Sequence, residues 1–142
     1  MTPEAVHAKL ALLRDNLEKL AEIPQGTYDE FASDFRNLDS ALHRLQTSIQ
    51  ALIDLGSLVV AQRGLGVPDT SRDLLVLLEK AGHLPVGAEA RFGPIFGFRN
   101  RVVHLYDRID PQIVFRILTE HRGDLEDLAK LLVRALSSPS SE

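Results

Sequence analysis

The residues best suited to chemistry lie in one short run, Phe98-Arg99-Asn100-Arg101-Val102-Val103-His104-Leu105-Tyr106. Arg99 can grip a phosphate through two N–H groups and stabilise the charge that grows on a pentacoordinate phosphorus. Arg101 makes a second candidate phosphate ligand. An imidazole such as that of His104 can take a proton from a ribose 2′-hydroxyl or give one to a leaving 5′-oxygen. With the 2′-hydroxyl as nucleophile no metal is required, because the attacking group is already tethered to the phosphate. This is a set suited to cleaving RNA. A plainer reading puts Val102, Val103 and Tyr106 in the core and leaves Arg99 and Arg101 solvated, but it gives no reason for guanidinium, carboxamide, imidazole and phenol to gather here.

Helix geometry constrains how these groups can cooperate. At about 100° per residue, Arg99 and His104 stand roughly 140° apart and about 7.5 Å along the axis. Asn100 shares a face with His104, and Arg99 with Tyr106. One such helix makes a poor pocket. Two copies related by a two-fold axis would form a groove holding each group twice, so a homodimer is expected.

Other chemistries lack their residues. The chain has no cysteine, which removes thiolate metal sites and cysteine nucleophiles. A di-iron bundle needs two Glu-x-x-His pairs, and only Glu4-Ala5-Val6-His7 has that form, so no metal site is expected. Gly64 and Gly66, and Gly93 and Gly97, lack the lysine and hydroxyl of a phosphate loop. No G-x-S-x-G elbow occurs. His7, His43, His83 and His121 read as surface or half-buried side chains, with His121 on an apolar stripe and in need of a hydrogen bond.

The elements that must position the run are helical. Val6, Leu10, Leu13, Leu17 and Leu20 alternate at spacings of four and three, and Pro3 suits a first turn, which predicts a helix over 3–22. Thr27 and Glu30 have the spacing of a capping box. Behind them Phe31, Phe35, Leu38, Leu42, Leu45, Ile49, Leu52, Gly56 and Val59 continue one stripe, predicting a single helix over about 28–63, roughly 50 Å long. Asp69-Thr70-Ser71 offers caps for a short helix bearing Leu74, Leu75, Leu77 and Leu78. Residues 84–106 look helical, with a kink or break expected near Pro94. Asp110-Pro111 opens a last helix whose stripe runs Val114, Ile117, His121, Leu125, Leu128, Leu132 and Ala135. No strand alternation or hairpin turn is present. The expected fold is all-α, an antiparallel bundle of about five helices with a long second helix, one domain over 1–136 and a polar tail over 137–142.

Composition agrees with a helical globule and narrows its partners. The 142 residues are 44% apolar and 25% charged, ordinary values for one folded domain. The net charge of −4 argues against a general nucleic-acid binder. The positive charge is concentrated instead: between 91 and 108, Arg91, Arg99, Arg101 and Arg108 face only Asp107. With no membrane-length apolar run and no basic-then-apolar leader at the N-terminus, the expected compartment is the cytoplasm.

The run Arg99-Asn100-Arg101-Val102-Val103-His104-Leu105-Tyr106 resembles the R-x4-H-x-Y motif of HEPN-domain proteins, in particular the HepT toxin group. The likeness extends over Leu45–Leu55, Pro68–Pro85 and Asp110-Pro111, and covers roughly residues 40–135. It implies a metal-independent endoribonuclease toxin, active as a homodimer, without a cofactor. Arg99 and His104 would then be catalytic and Asn100 supporting, and Asp54 would orient the arginine. The resemblance also implies a partner, a minimal nucleotidyltransferase antitoxin that places AMP on the motif tyrosine, here Tyr106. A phosphate there would fill and neutralise the groove. A second reading keeps the same groove but makes the chain a non-catalytic, nucleotide-binding partner of that transferase.

Overall fold

The computed structural model describes residues 1–105 and 108–137, with the side chains of 103–105 outside that description. Among the described residues the seven α-helices are α1 (Pro3–Glu22), α2 (Tyr28–Ala32), α3 (Phe35–Arg63), α4 (Ser71–Lys80), α5 (Ala88–Leu105), α6 (Pro111–Glu120) and α7 (Arg122–Ser137). No strand occurs among the described residues. The remainder of the predicted polar tail lies outside them. α3 is the axis of the bundle, about 44 Å long, and it packs against each of the other six helices. Its stripe from Leu42 through Leu45, Ile49 and Leu52 to Val59 is buried, as its 4-3 spacing requires.

Two predicted helices are each cut in two, the first by competing hydrogen bonds. The helix expected over 28–63 stops at Ser33, whose hydroxyl donates to Glu30 O at 2.7 Å. It restarts at Asp34, an extended N-cap whose carboxylate accepts from Arg36 N at 2.9 Å. Short polar side chains that bond their own backbone favour such breaks over continued helix. The consequence falls on the stripe: Phe31 is fully buried, while Phe35, four residues on, is 75% exposed. Thr27 does cap α2, accepting from Glu30 N at 3.1 Å.

The last predicted helix breaks at His121. Its backbone N–H closes α6 onto Ile117 O, and its Nδ1 lies 2.9 Å from Asp124 Oδ2 in the first turn of α7. The apolar stripe survives because Val114, Ile117, Leu125, Leu128 and Leu132 remain buried on both sides of the break.

α5 carries the candidate run, and its own boundaries depart from expectation. Residues 84–87 stay outside it, and it runs unbroken through Pro94. Pro94 and Ala90, whose carbonyl loses its helical donor, both lie on the exposed side, where water can replace the missing bond. The start of α5 has no capping side chain of its own. Gly87, at φ +94°, takes a conformation open to glycine, and the cap comes from α4: Glu79 Oε1 accepts from Glu89 N at 2.8 Å. These backbone N–H groups, of Glu89 and then of Gly87, hold the Glu79 carboxyl below the usual carboxylate range.

A second polar contact sets α1 against α3. Asn16, buried, donates from Nδ2 to Thr47 Oγ1 at 2.9 Å and to Ser48 Oγ at 3.0 Å, and accepts from Arg44 Nη1 at 3.0 Å.

The Glu79 cap predicts a pH signature. A carboxyl held low in the folded state stabilises the fold above its unfolded value of about 4.3 and loses that contribution as pH falls through the lower folded value. Glu79→Gln is therefore expected to lower the melting temperature at pH 7. The gap to the parent protein should close at acid pH, as the parent's own Glu79 protonates. Melts followed by circular dichroism across that range check it. A constant gap at all pH values would show that the carboxylate charge is immaterial.

Candidate active site on helix α5

Burial fixes how α5 faces its neighbours. Phe92, Ile95, Phe96, Phe98 and Val102 are all in the core. Arg99 lies on the stripe of Phe92, Ile95 and Val102, one turn or two turns away from each, so its stem sits among apolar groups. A guanidinium there needs hydrogen-bond partners, since an unpaired buried charge is costly. Its Nη2 donates to Gln50 Oε1 of α3 in a short contact. Gln50 Nε2 in turn donates to Asp54 Oδ1 at 2.9 Å, and Lys9 Nζ of α1 donates to Asp54 Oδ2 at 2.7 Å. Three helices thus meet in the chain Arg99–Gln50–Asp54–Lys9. The Nε of Arg99 is buried and has no partner among the described residues.

Asp54, expected to orient the arginine, reaches it by way of this relay. Gln50 stands between Asp54 and the arginine, and the second oxygen of Asp54 is taken by Lys9. Gln50 and Lys9 were not among the residues singled out from sequence. Gln50 and Asp54 stand at i and i+4 on one helix, a spacing that lets them bond, and this was the available signal. Lys9 joins from 45 positions away and left none.

The other arginines of the basic segment have separate fates. Arg91 is committed to structure: it bonds Asp124 at 2.9 Å and Asp127 at 2.5 Å, tying α5 to α7, and these carboxylates raise its pKa. Arg101 is exposed and, two residues on from Arg99, projects to a different side of α5. It lines a pocket with residues of α4 and α6. Arg99 and Arg101, paired in the sequence reading as phosphate ligands, therefore serve two separate surfaces. Asn100 is exposed between them. His104 belongs to the last turn of α5, with its side chain outside the described set, and Tyr106 lies outside the described residues. Among the described residues no group of three histidine or acidic side chains is placed to hold a metal ion, and no helix is long and apolar enough to cross a membrane.

Residues 13–132 match the sequence model of the ribonuclease HepT-like family. This chain belongs to that family. As a HepT-like protein it is 27% identical over 124 residues to the mRNA nuclease HepT of Shewanella oneidensis, a match covering 87% of this chain and 92% of that one. It is 28% identical over 117 residues to the tRNA nuclease HepT of Aphanizomenon flos-aquae, covering 82% and 80% of the two chains. Among solved structures, the tri-AMPylated Shewanella oneidensis HEPN toxin in complex with MNT antitoxin superposes with a TM-score of 0.79. The two are 26% identical, with 94% of this chain and 98% of that chain aligned. A toxin–antitoxin structure with AMP-PNP superposes with a TM-score of 0.78 at 25% identity, over 93% and 99%. The helical HEPN architecture inferred from the motif is the architecture of this HepT-like chain.

If Asp54 joins Lys9 to Gln50 energetically, removing both ends should not be additive. A double-mutant cycle of Lys9→Ala and Gln50→Ala, read by urea denaturation, is expected to give a coupling of about 0.5–1 kcal/mol. Strict additivity would show that the two bonds to Asp54 act independently.

Proposed function

We propose that this chain is the toxin of a toxin–antitoxin pair, a cytoplasmic endoribonuclease that cuts RNA in a groove formed between two copies. The reading rests foremost on Arg99: a guanidinium drawn onto a core stripe of α5 and held by Gln50, within a HepT-like fold and an R-x4-H-x-Y run. Holding that side chain in place lowers the entropy lost when it meets a phosphate.

In the proposed reaction a neutral His104 imidazole accepts the proton of the ribose 2′-hydroxyl. The freed oxygen attacks the adjacent phosphorus, and the bond from phosphorus to the 5′-oxygen breaks. The leaving 5′-oxygen takes its proton from a second imidazole, which a two-fold pair of chains supplies. The products are a 2′,3′-cyclic phosphate and a 5′-hydroxyl. Arg99 neutralises the charge on the phosphoryl oxygens as the fifth bond forms. Asn100, exposed beside it and one turn from His104, supports the substrate. The step needs no metal ion, because the nucleophile belongs to the substrate.

The partner proposed is a minimal nucleotidyltransferase antitoxin that modifies Tyr106. A solved relative is a tri-AMPylated toxin in complex with an MNT antitoxin, and Tyr106 is the tyrosine of the R-x4-H-x-Y run in this chain. AMP at that position would bring a phosphate anion to Arg99 in place of the substrate's.

Cleavage of single-stranded RNA should persist in EDTA, spare DNA of the same sequence, and vary through roughly pH 6–8. Arg99→Ala should lower kcat/KM by about 100-fold or more, and His104→Ala by a comparable factor. Absence of cleavage by the purified dimer, or equal cutting of DNA, would favour the non-catalytic partner reading instead. Light scattering should return a dimer at micromolar concentration.

Tyr106→Phe is expected to leave the fold and much of the cleavage intact yet escape silencing. Mass spectrometry after co-expression with the neighbouring nucleotidyltransferase should find AMP increments on the peptide holding Tyr106, absent in the variant. Full silencing of Tyr106→Phe by the transferase's catalytic activity would place the switch elsewhere.

A further inference from the structure

On the side of α5 away from Gln50 lies a pocket of about 430 Å³. Its polar lining is Arg72 of α4, Arg101 of α5, Arg116 of α6 and His121, and no acidic residue lines it among the described residues. Its apolar lining includes Pro94, Phe98 and Ile117. Three guanidiniums around one cavity repel each other, and an acidic protein has carboxylates with which to disperse them. Here only one of the three is paired among the described residues. Arg72 Nε donates to Glu89 Oε1 at 2.6 Å. Arg101 and Arg116 are exposed and have no partner among the described residues. His121 is oriented by Asp124 at 2.9 Å, which leaves its Nε2 edge free of that bond.

The cavity is also built around one of its arginines. Gly93 is buried against the Arg72 side chain, and a Cβ there would stand 2.4 Å from Arg72 Cζ. The guanidinium therefore lies close over the backbone of α5, held between that glycine and Glu89. A volume near 400 Å³ matches one nucleotide unit rather than an extended chain. Guanidiniums suit the phosphate of such a unit, and the apolar lining suits the remainder.

We propose that this pocket binds the phosphate of a nucleotide unit, as a second anion site separate from Arg99. The proposal rests on the nuclease reading for its preferred source, a phosphodiester of the RNA substrate away from the scissile bond. A free nucleotide carries the same chemistry. α5 would then present one arginine to the reacting phosphate and another, on a different side, to a phosphate farther along the strand.

Anisotropy titrations with labelled single-stranded 2′-O-methyl RNA, which offers no 2′-hydroxyl nucleophile, test this without cleavage. Arg101→Gln and Arg116→Gln should each weaken binding about tenfold at low salt. Each should also flatten the slope of log K against log salt by roughly 0.7. Arg116→Lys should keep most of the affinity, since it keeps the charge. Circular dichroism melts confirm that the variants fold. Parallel titrations with AMP separate the sources: a loss confined to RNA assigns a strand phosphate, and a loss confined to AMP assigns a free nucleotide. Unchanged affinity for both ligands in Arg116→Gln and Arg72→Gln would overturn the proposal. Arg99→Gln keeps the two readings apart, since it should abolish cleavage while the Arg116-dependent binding persists. Binding that depends on Arg116 in a protein that cuts no RNA would uphold the pocket and refute the nuclease.

Discussion

The rotation of α5 about its own axis is the constraint on which the candidate site depends. Phe92, Ile95, Phe96, Phe98 and Val102 are each at most 2% exposed, and full burial of such side chains contributes about 1.5–3 kcal/mol apiece. Turning the helix by even one residue would bring several of them into water. With that rotation set, Arg99 must face α3 and Arg101 must face the cavity beside α4 and α6. The chemistry of the two arginines follows from the phenylalanines around them.

The same constraint explains how an acidic protein maintains a basic segment. Arg91 is offset by Asp124 and Asp127 and acts as a clamp between α5 and α7. Arg99 is held by a neutral carboxamide, which accepts its hydrogen bond without cancelling its charge. The carboxylate of the relay lies one residue farther back, where Lys9 balances it. Had Asp54 met Arg99 directly, the guanidinium would be less available to a phosphate.

Helix ends place the remaining parts. Glu79 of α4 caps α5, so the helix that carries the arginines begins where its neighbour ends. Asp110 accepts from Gln112 N at 2.9 Å and starts α6 with Pro111 in its first turn. His121 closes α6 and, through Asp124, joins the clamp on Arg91. These polar contacts are local, yet together they decide where Arg72, Arg101 and Arg116 come to border one cavity.

The sequence by itself determined the helical class, the stripes that become the core, the cap at Asp110 and the family. Each of these depends on spacing within one segment: apolar periodicity, a capping side chain two or three residues from its target, or the run from Arg99 to Tyr106. It also displayed Ser33 and Asp34, whose side-chain bonds to nearby backbone compete with helix, but the apolar period alone does not register them. Only the tertiary structure decided the partner of Arg99, the place of Gln50 between Asp54 and Arg99, the engagement of Lys9 and the separation of Arg101 from Arg99. Those depend on which helix lies beside α5 and at what rotation. That is settled by burial summed over the whole core, with contacts between residues as far apart as Lys9 and Asp54, and no local pattern encodes it.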